Sequence, residues 1–182
     1  MLRDNYIIPN ELYQEALDYA IASRAYTSNR HDFHEGGLDN KQKKMFEGKL
    51  GEKAFKIFLQ DNDFSFIEDE SSPRERDKYD FVLNKTGFQK LLIDVKTRTK
   101  HYHIRTLELV EQYSAFPKDI YISARLYEGT RNVKLLGWYT ANEMLNINRV
   151  ENNGYLDNYV MYDNELHPME DFLEKYFYYK KS

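Results

Sequence analysis

The run LLIDVKT at residues 91–97 constrains this chain more than any other stretch: it reads as a buried strand, yet an aspartate and a lysine interrupt it. Side chains alternate in direction along a strand, so Asp94 and Lys96 share one face roughly 6–7 Å apart, with Val95 on the other. Just upstream, residues 79–84 (YDFVLN) read as a second strand, joined to the first at about residue 90 by a turn containing Gly87. The pair of strands brings Asp80 to the same neighbourhood. Charges placed inside apolar strands cost free energy unless they are paired or put to use.

The preceding segment, about 41–61, predicts an amphipathic helix in which Met45, Phe46, Leu50, Ala54, Phe55, Phe58 and Leu59 form an apolar stripe. Gly48 and Gly51 fall inside it, each costing roughly 1 kcal/mol relative to alanine, so something packs or binds close to that backbone. Glu52 lies beside the stripe, where a carboxylate aimed at a neighbouring sheet belongs. An earlier helix is expected over 10–28 with Asn10 as N-cap, then a loop at 29–40. A short strand at 64–68, a charged exposed loop at 69–78 and a short helix at 107–115 are also expected. Strands at 119–127 and 133–140 read as a hairpin, followed by a helix at about 141–147, a polar connection at 146–158 and an aromatic-rich helix from Pro168 to about Tyr179. The chain of 182 residues is expected to form a single domain, with a motif-bearing core at about 41–140 and an aromatic extension at about 159–182.

Charge bears on the partner. The net charge of −4 comes wholly from Glu151 onward, where seven acids face three lysines; residues 1–150 hold 23 of each sign. A basic surface in that first part is compatible with the overall acidity. No apolar run approaches the ~20 residues of a spanning helix, and the opening MLRDNYIIPNEL lacks the apolar core of a secretory signal, so a cytoplasmic protein is expected. The absence of cysteine excludes disulfides, thiolate chemistry and cysteine-based zinc sites.

A helical glutamate, an aspartate at a strand and D-x-K on the next strand resemble the pattern of the PD-(D/E)XK nuclease superfamily, with Glu52, Asp80, Asp94 and Lys96 in its positions. The likeness is closest to small resolvase-like members with a GxxGExxA helix and a VKTR ending; GKLGEKAF (48–55) carries the GxxGE part, with Phe55 in the alanine position, and DVKTR (94–98) the ending. Motifs support it over residues 45–98, and element order alone supports it beyond. The chain departs from the pattern at Tyr79, where proline is common, and Glu47 stands five residues before Glu52 as an alternative helical acid. The resemblance implies an α/β restriction-endonuclease-like domain with a central mixed sheet flanked by helices. It also implies a Mg²⁺-dependent nuclease, most simply a DNA endonuclease. The alternative is an inactive module that keeps the fold and binds nucleic acid or a protein.

Phosphodiester hydrolysis sets matching demands. Water must attack an anion, and a divalent cation both neutralises charge and makes the water nucleophilic. Mg²⁺, with Mn²⁺ as substitute, takes hard oxygen ligands and keeps several waters. Asp80 and Asp94 are the main candidate ligands, the carbonyl of Val95 a third, and Glu52 either a ligand or a partner of metal-bound water. Lys96 would orient the water, lower its pKa or stabilise developing negative charge. Taken alone, D-x-K on a strand is more often a surface ion pair worth about 0–1 kcal/mol.

Arg98, Lys100, His101, Tyr102, His103 and Arg105 leave the proposed catalytic strand with no acid among them, which suits phosphate contact, with Tyr102 able to stack on a base; a solvated loop is the plainer reading. Lys41, Lys43, Lys44, Lys49 and Lys53 would extend that surface. A histidine before the helical acid occurs in cap-snatching nucleases of the superfamily, which makes His31 and His34 candidates, while His101/His103 lack a supporting metal motif. A chain this short has little room for a separate sequence-reading domain, so a symmetric homodimer or structure-selective recognition is expected, with the aromatic 168–179 segment as a candidate interface.

Overall fold

The computed structural model describes residues 2–23, 38–69, 78–152 and 154–181; His31, His34 and most of the charged loop at 69–78 lie outside them. In chain order the strands are β1 (Tyr6–Ile7), β2 (Phe66–Glu68), β3 (Phe81–Leu83), β4 (Leu91–Arg98), β5 (Arg105–Leu109), β6 (Ile120–Leu126), β7 (Asn132–Thr140), β8 (Val150–Asn152) and β9 (Asp157–Tyr162). The α-helices are α1 (Asn10–Ala22), α2 (Leu38–Asp61), α3 (Val110–Ala115), α4 (Ala141–Ile147) and α5 (Met169–Lys175).

Six strands form a central mixed sheet in the order β1-β7-β6-β4-β3-β2, in which β4 and β6 run parallel and every other pair is antiparallel. A parallel pair needs a crossover connection. Here the crossover contains β5 and α3, and β5 leaves the central sheet to join β9 and β8 in a second, three-stranded sheet.

Alternation divides the central sheet into two unlike faces. Ile93 and Val95 of β4, with Ile120, Ile122 and Ala124 of β6, enter the main core, where Leu50, Ala54, Phe55, Phe58 and Leu59 of α2 meet them. Burying each large apolar side chain contributes about 1.5–3 kcal/mol, which sets the orientation of α2. Phe172 of α5 packs edge-on against Phe55, Phe58 and Trp138, so much of the aromatic C-terminal segment is core; Phe177 and Tyr178 remain exposed. On the other face Tyr121, Tyr139 and Met161 form a smaller cluster with Ala141 and Met144 of α4. An irregularity in the β6–β7 pairing between Ser123 and Ala124 changes the alternation of β7, and Trp138 turns into the helix-side core while Tyr139 faces the opposite way.

The helices therefore flank the sheet as expected, with the difference that a second sheet covers part of one face. Several local expectations change: the first helix ends at Ala22, short of residue 28, and the aromatic C-terminal helix ends at Lys175, with a separate 3-10 turn at Phe177–Tyr179. Helix α1 starts at Asn10 with Pro9 in the capping position, and the side chain of Asn10 accepts from Arg131 instead. The segment 107–115 is half strand: Thr106 and Glu108 point inward as β5 pairs with β9, and helix begins only at Val110. The polar stretch 146–158 contains β8 and the start of β9, because its alternation finds a partner in β5 that local sequence does not reveal.

Candidate active site

Phe81 pairs with Ile93, Val82 with Leu92 and Leu83 with Leu91, and one further step of this register sets Asp80 across from Asp94. Side chains directly across an antiparallel pair share a face, so the two acids lie on the same side. Both are buried, and the amide of Val95 donates to Asp80 Oδ2 at 2.6 Å. Lys96, two residues along β4, reaches Asp94 Oδ2 at 2.8 Å.

Their electrostatics differ. Burial, followed by the charges of Glu52 and Asp94, raises the Asp80 carboxyl well above its ordinary value. Burial works the same way on Asp94, but Lys96 and then Lys118 outweigh it and hold Asp94 below its ordinary value. For Lys96 burial opposes the charge, and Asp94 and Glu108 overcome it, so the ammonium titrates above its ordinary range.

Glu52 reaches this neighbourhood because α2 lies unusually close to β4. A Cβ on Gly51 would stand 1.9 Å from Thr97 Oγ1, so only glycine fits there. Gly48 has free space at its Cβ position, and its carbonyl accepts from the Thr97 hydroxyl at 3.3 Å. The close approach expected from the two glycines is thus made at Gly51. Glu52 pairs with Lys49 at 2.8 Å, and its charge acts on Asp80. Glu47 faces elsewhere, 3.7 Å from Lys43 and within the field of Glu128 and Lys100. Lys49 and Lys53 are buried: Lys49 also lies over the Tyr19 ring, and Lys53 pairs with Glu15 and Glu68. They do not extend a basic surface, because α1 packs along the side of α2 that looks solvent-facing in the sequence.

Two buried ionisable residues escape the sequence reading. Glu108 of β5 is fully buried (0% exposed), with Oε2 2.6 Å from Lys96 Nζ and Oε1 accepting from the Tyr121 hydroxyl at 3.3 Å. Burial lifts its pKa above the ordinary value against the pull of Lys96. Lys118, its side chain also fully buried, donates to the carbonyl of Phe116 at 2.9 Å and lies 3.9 Å from Asp94 Oδ1. The alternation in RTLEL was the available signal for Glu108; nothing local marks Lys118.

The donors gathered here are hard carboxylate oxygens that repel one another, the chemistry a divalent cation neutralises. Among the described residues, however, no three acidic or imidazole groups form a ready-made metal cluster. Glu52 is drawn to Lys49, and Asp94 to Lys96. Val95 contributes its amide to Asp80, and its carbonyl lies on β4 between the two charged residues.

The basic stretch is less cationic than its sequence. Arg98 pairs with Asp163 at 2.5 Å, Lys100 with Glu128 at 3.0 Å and Arg105 with Glu151. These acids come from distant parts of the chain. His101, Tyr102 and His103 are exposed at the turn between β4 and β5, with both imidazoles edge-on to the Tyr102 ring. Burial, then the Arg98 and Arg105 charges, hold His103 below its ordinary value.

Fold and site together define a mixed α/β protein whose central sheet presents two facing aspartates and a lysine to a helical glutamate. No protein-family model and no curated protein matches the chain. Among solved structures, it is similar to Hjc, a Holliday junction resolvase from the archaeal hyperthermophile Archaeoglobus fulgidus. The identity is 14%, the coverage 63% of this chain and 86% of that one, and the TM-score 0.36. Among the described residues no helix is long and apolar enough to cross a membrane.

Proposed function

We propose that this chain is a metal-dependent nuclease of PD-(D/E)XK type with a restriction-endonuclease-like fold, acting on phosphodiester bonds, with DNA favoured over RNA and endonucleolytic cleavage over exonucleolytic. One observation supports this above the others: continuing the β3–β4 register sets Asp80 across from Asp94, and Lys96 bonds to that same Asp94. A D-x-K on a solvated strand would bring neither the second aspartate nor the burial. The main core also draws on strands and helices from Tyr6 to Tyr179, which supports a single domain across residues 1–182.

Mg²⁺, or Mn²⁺ in its place, would be held by Asp80 and Asp94 with Glu52 and the Val95 carbonyl as further oxygen donors, and would supply Lewis-acid stabilisation and a nucleophilic water. The chain's own groups do the rest. The Val95 amide fixes one oxygen of Asp80. Lys96, kept charged by Asp94 and Glu108, places a compact cation where negative charge develops on the phosphate oxygens. Its protonation at neutral pH suits stabilisation and water orientation better than proton abstraction. The exposed Tyr102 offers a stacking face, and Arg98, Lys100 and Arg105 meet phosphates by exchanging their carboxylate partners.

The second reading, a nuclease-like module that binds without cutting, is favoured by the lack of a preassembled three-ligand cluster among the described residues. One experiment separates the two. The protein is incubated with single-stranded, duplex and branched DNA, and with RNA, in Mg²⁺ or Mn²⁺. Cleavage is expected, and Asp94→Ala should lower its rate by about 10²–10³-fold. Cleavage by Asp94→Ala at the wild-type rate would show the site to be wrong; binding without cleavage under every condition would establish the second reading.

A further inference from the structure

The sequence pattern leaves Glu108 without a role. A fully buried carboxylate is costly, and replacing such a group with a well-packed apolar residue is often neutral or stabilising, so stability alone is a weak reason for one here. Its contacts are with a single site residue and a tyrosine: Lys96 Nζ at 2.6 Å and the Tyr121 hydroxyl at 3.3 Å. Both are held in place by the sheets. Lys96 and Tyr121 lie on the adjacent parallel strands β4 and β6, where Tyr121 pairs in register with Asp94 and stacks on Tyr139 at 5.1 Å. Glu108 comes from β5, which five paired positions with β9 fix above that face. The hydroxyls of Thr106 and Ser123 bond at 2.8 Å one step further along, tying β5 to β6.

A lysine ammonium sits on a four-carbon stem with freely rotating bonds, so one carboxylate does not fix its position. Lys96 has two, Asp94 at 2.8 Å and Glu108 at 2.6 Å. The two differ in kind. Asp94 is a candidate ligand, and a cation bound to it would compete with the lysine for its oxygens. Glu108 is sealed from solvent, pairs with Lys96 through one oxygen and accepts a hydrogen bond from Tyr121 on the other. It is the anchor that stays when Asp94 is engaged.

We propose that Glu108 is a positioning residue for Lys96, and that Tyr121 in turn orients Glu108, so that the ammonium keeps its place independently of Asp94. This rests on the nuclease reading for its catalytic consequence but not for the clamp itself. The clamp is measured first, in metal-free protein, by side-chain ammonium ¹⁵N–¹H NMR, with Lys96→Met used to assign the signal. The wild-type Lys96 ammonium should be protected from solvent exchange, and Glu108→Gln should lose that protection. Single-turnover cleavage at saturating nucleic acid is measured second. Glu108→Gln is expected to slow it on the order of 100-fold, as for a misplaced catalytic group, with substrate affinity unchanged within about twofold. Glu108→Asp should fall between the two.

A role limited to folding would instead lower the melting temperature and leave the rate per folded molecule intact. Should Glu108→Gln not fold, Tyr121→Phe carries the same test with only the hydroxyl removed, and a smaller loss in the same direction is expected. The proposal is overturned if Lys96 stays protected in the folded variant, or if that variant cuts at the wild-type rate. A wild-type protein that cuts no substrate would remove the nuclease reading while the NMR result still decides the clamp.

Discussion

Gly48→Ala and Gly51→Ala lie one turn apart on α2, and they should shift stability in opposite directions. At Gly48 an added Cβ meets nothing within 4 Å, so alanine gains about 1 kcal/mol of helix propensity. At Gly51 the new methyl would stand 1.9 Å from Thr97 Oγ1, 3.0 Å from its Cβ and 3.1 Å from its Cγ2. Rotating Thr97 gives no relief, because a β-branched side chain swaps one heavy atom for another and Cβ itself is at the contact limit. Helix α2 must therefore retreat from β4, and overpacking of this severity costs about 3 kcal/mol, the upper end of the usual range. After the same propensity gain of about 1 kcal/mol, a net loss of about 2 kcal/mol remains. For a chain of this length 1 kcal/mol corresponds to about 2–4 °C, so Gly51→Ala should melt about 4–8 °C lower and Gly48→Ala about 2–4 °C higher. Thermal unfolding followed by circular dichroism, with urea unfolding for the free energies, measures both. Thr97→Ala combined with Gly51→Ala should recover part of the loss, since the two branch atoms in the way are gone. A Gly51→Ala protein that melts at or above Gly48→Ala would refute the close approach of α2 to β4, and with it the placement of Glu52 beside Asp80.

Two further outcomes follow from the charge pairings. Glu68 bonds Lys53 at 2.8 Å and Lys56 at 2.6 Å; although burial opposes its charge, the two lysines hold its carboxyl below the ordinary value. Its stabilisation is therefore full above the unfolded pKa of about 4.3 and is lost as pH falls through the folded value. Glu68→Gln should cost about 2 kcal/mol at neutral pH, with the gap to wild type closing in urea titrations below about pH 4; a gap constant down to pH 3 would rule this out. Asp163 neutralises Arg98 at 2.5 Å and lies 3.9 Å from Arg125. Asp163→Asn should therefore tighten nucleic-acid binding and steepen its dependence on log salt by up to about 0.9, measured by fluorescence anisotropy. Unchanged affinity and slope would place Arg98 and Arg125 away from the phosphate path.

The elements that the sequence announces are those with strong local patterns. The apolar stripe of α2, the alternation of β4 and the β6–β7 hairpin all fall within a few residues of their expected positions, because each buries a face whose period is visible in the residues themselves. Strand β5 did not announce itself. RTLEL followed directly by VEQYSA fits a single amphipathic helix about as well as a strand and a short helix, and only pairing with β9, some fifty residues later, decides between them. A segment whose sequence conceals the strand also conceals the inward-facing Glu108. The neutralised basic stretch has the same origin: no acid lies between Arg98 and Arg105 in the sequence, yet Asp163, Glu128 and Glu151, from distant parts of the chain, meet Arg98, Lys100 and Arg105 in space.

What the sequence by itself determined was the chemistry on one strand and its nearest neighbours: Asp94 and Lys96 on a common face by the period of two, Asp80 one hairpin away, and a glycine-flanked Glu52 on the helix before them. Tertiary structure decided which charges remain free to act. Coulomb energy depends on distance through space, and the crossover between the parallel strands β4 and β6 lays β5 over their polar face. It is there that Lys96 finds Glu108, a partner that no spacing along the chain specifies.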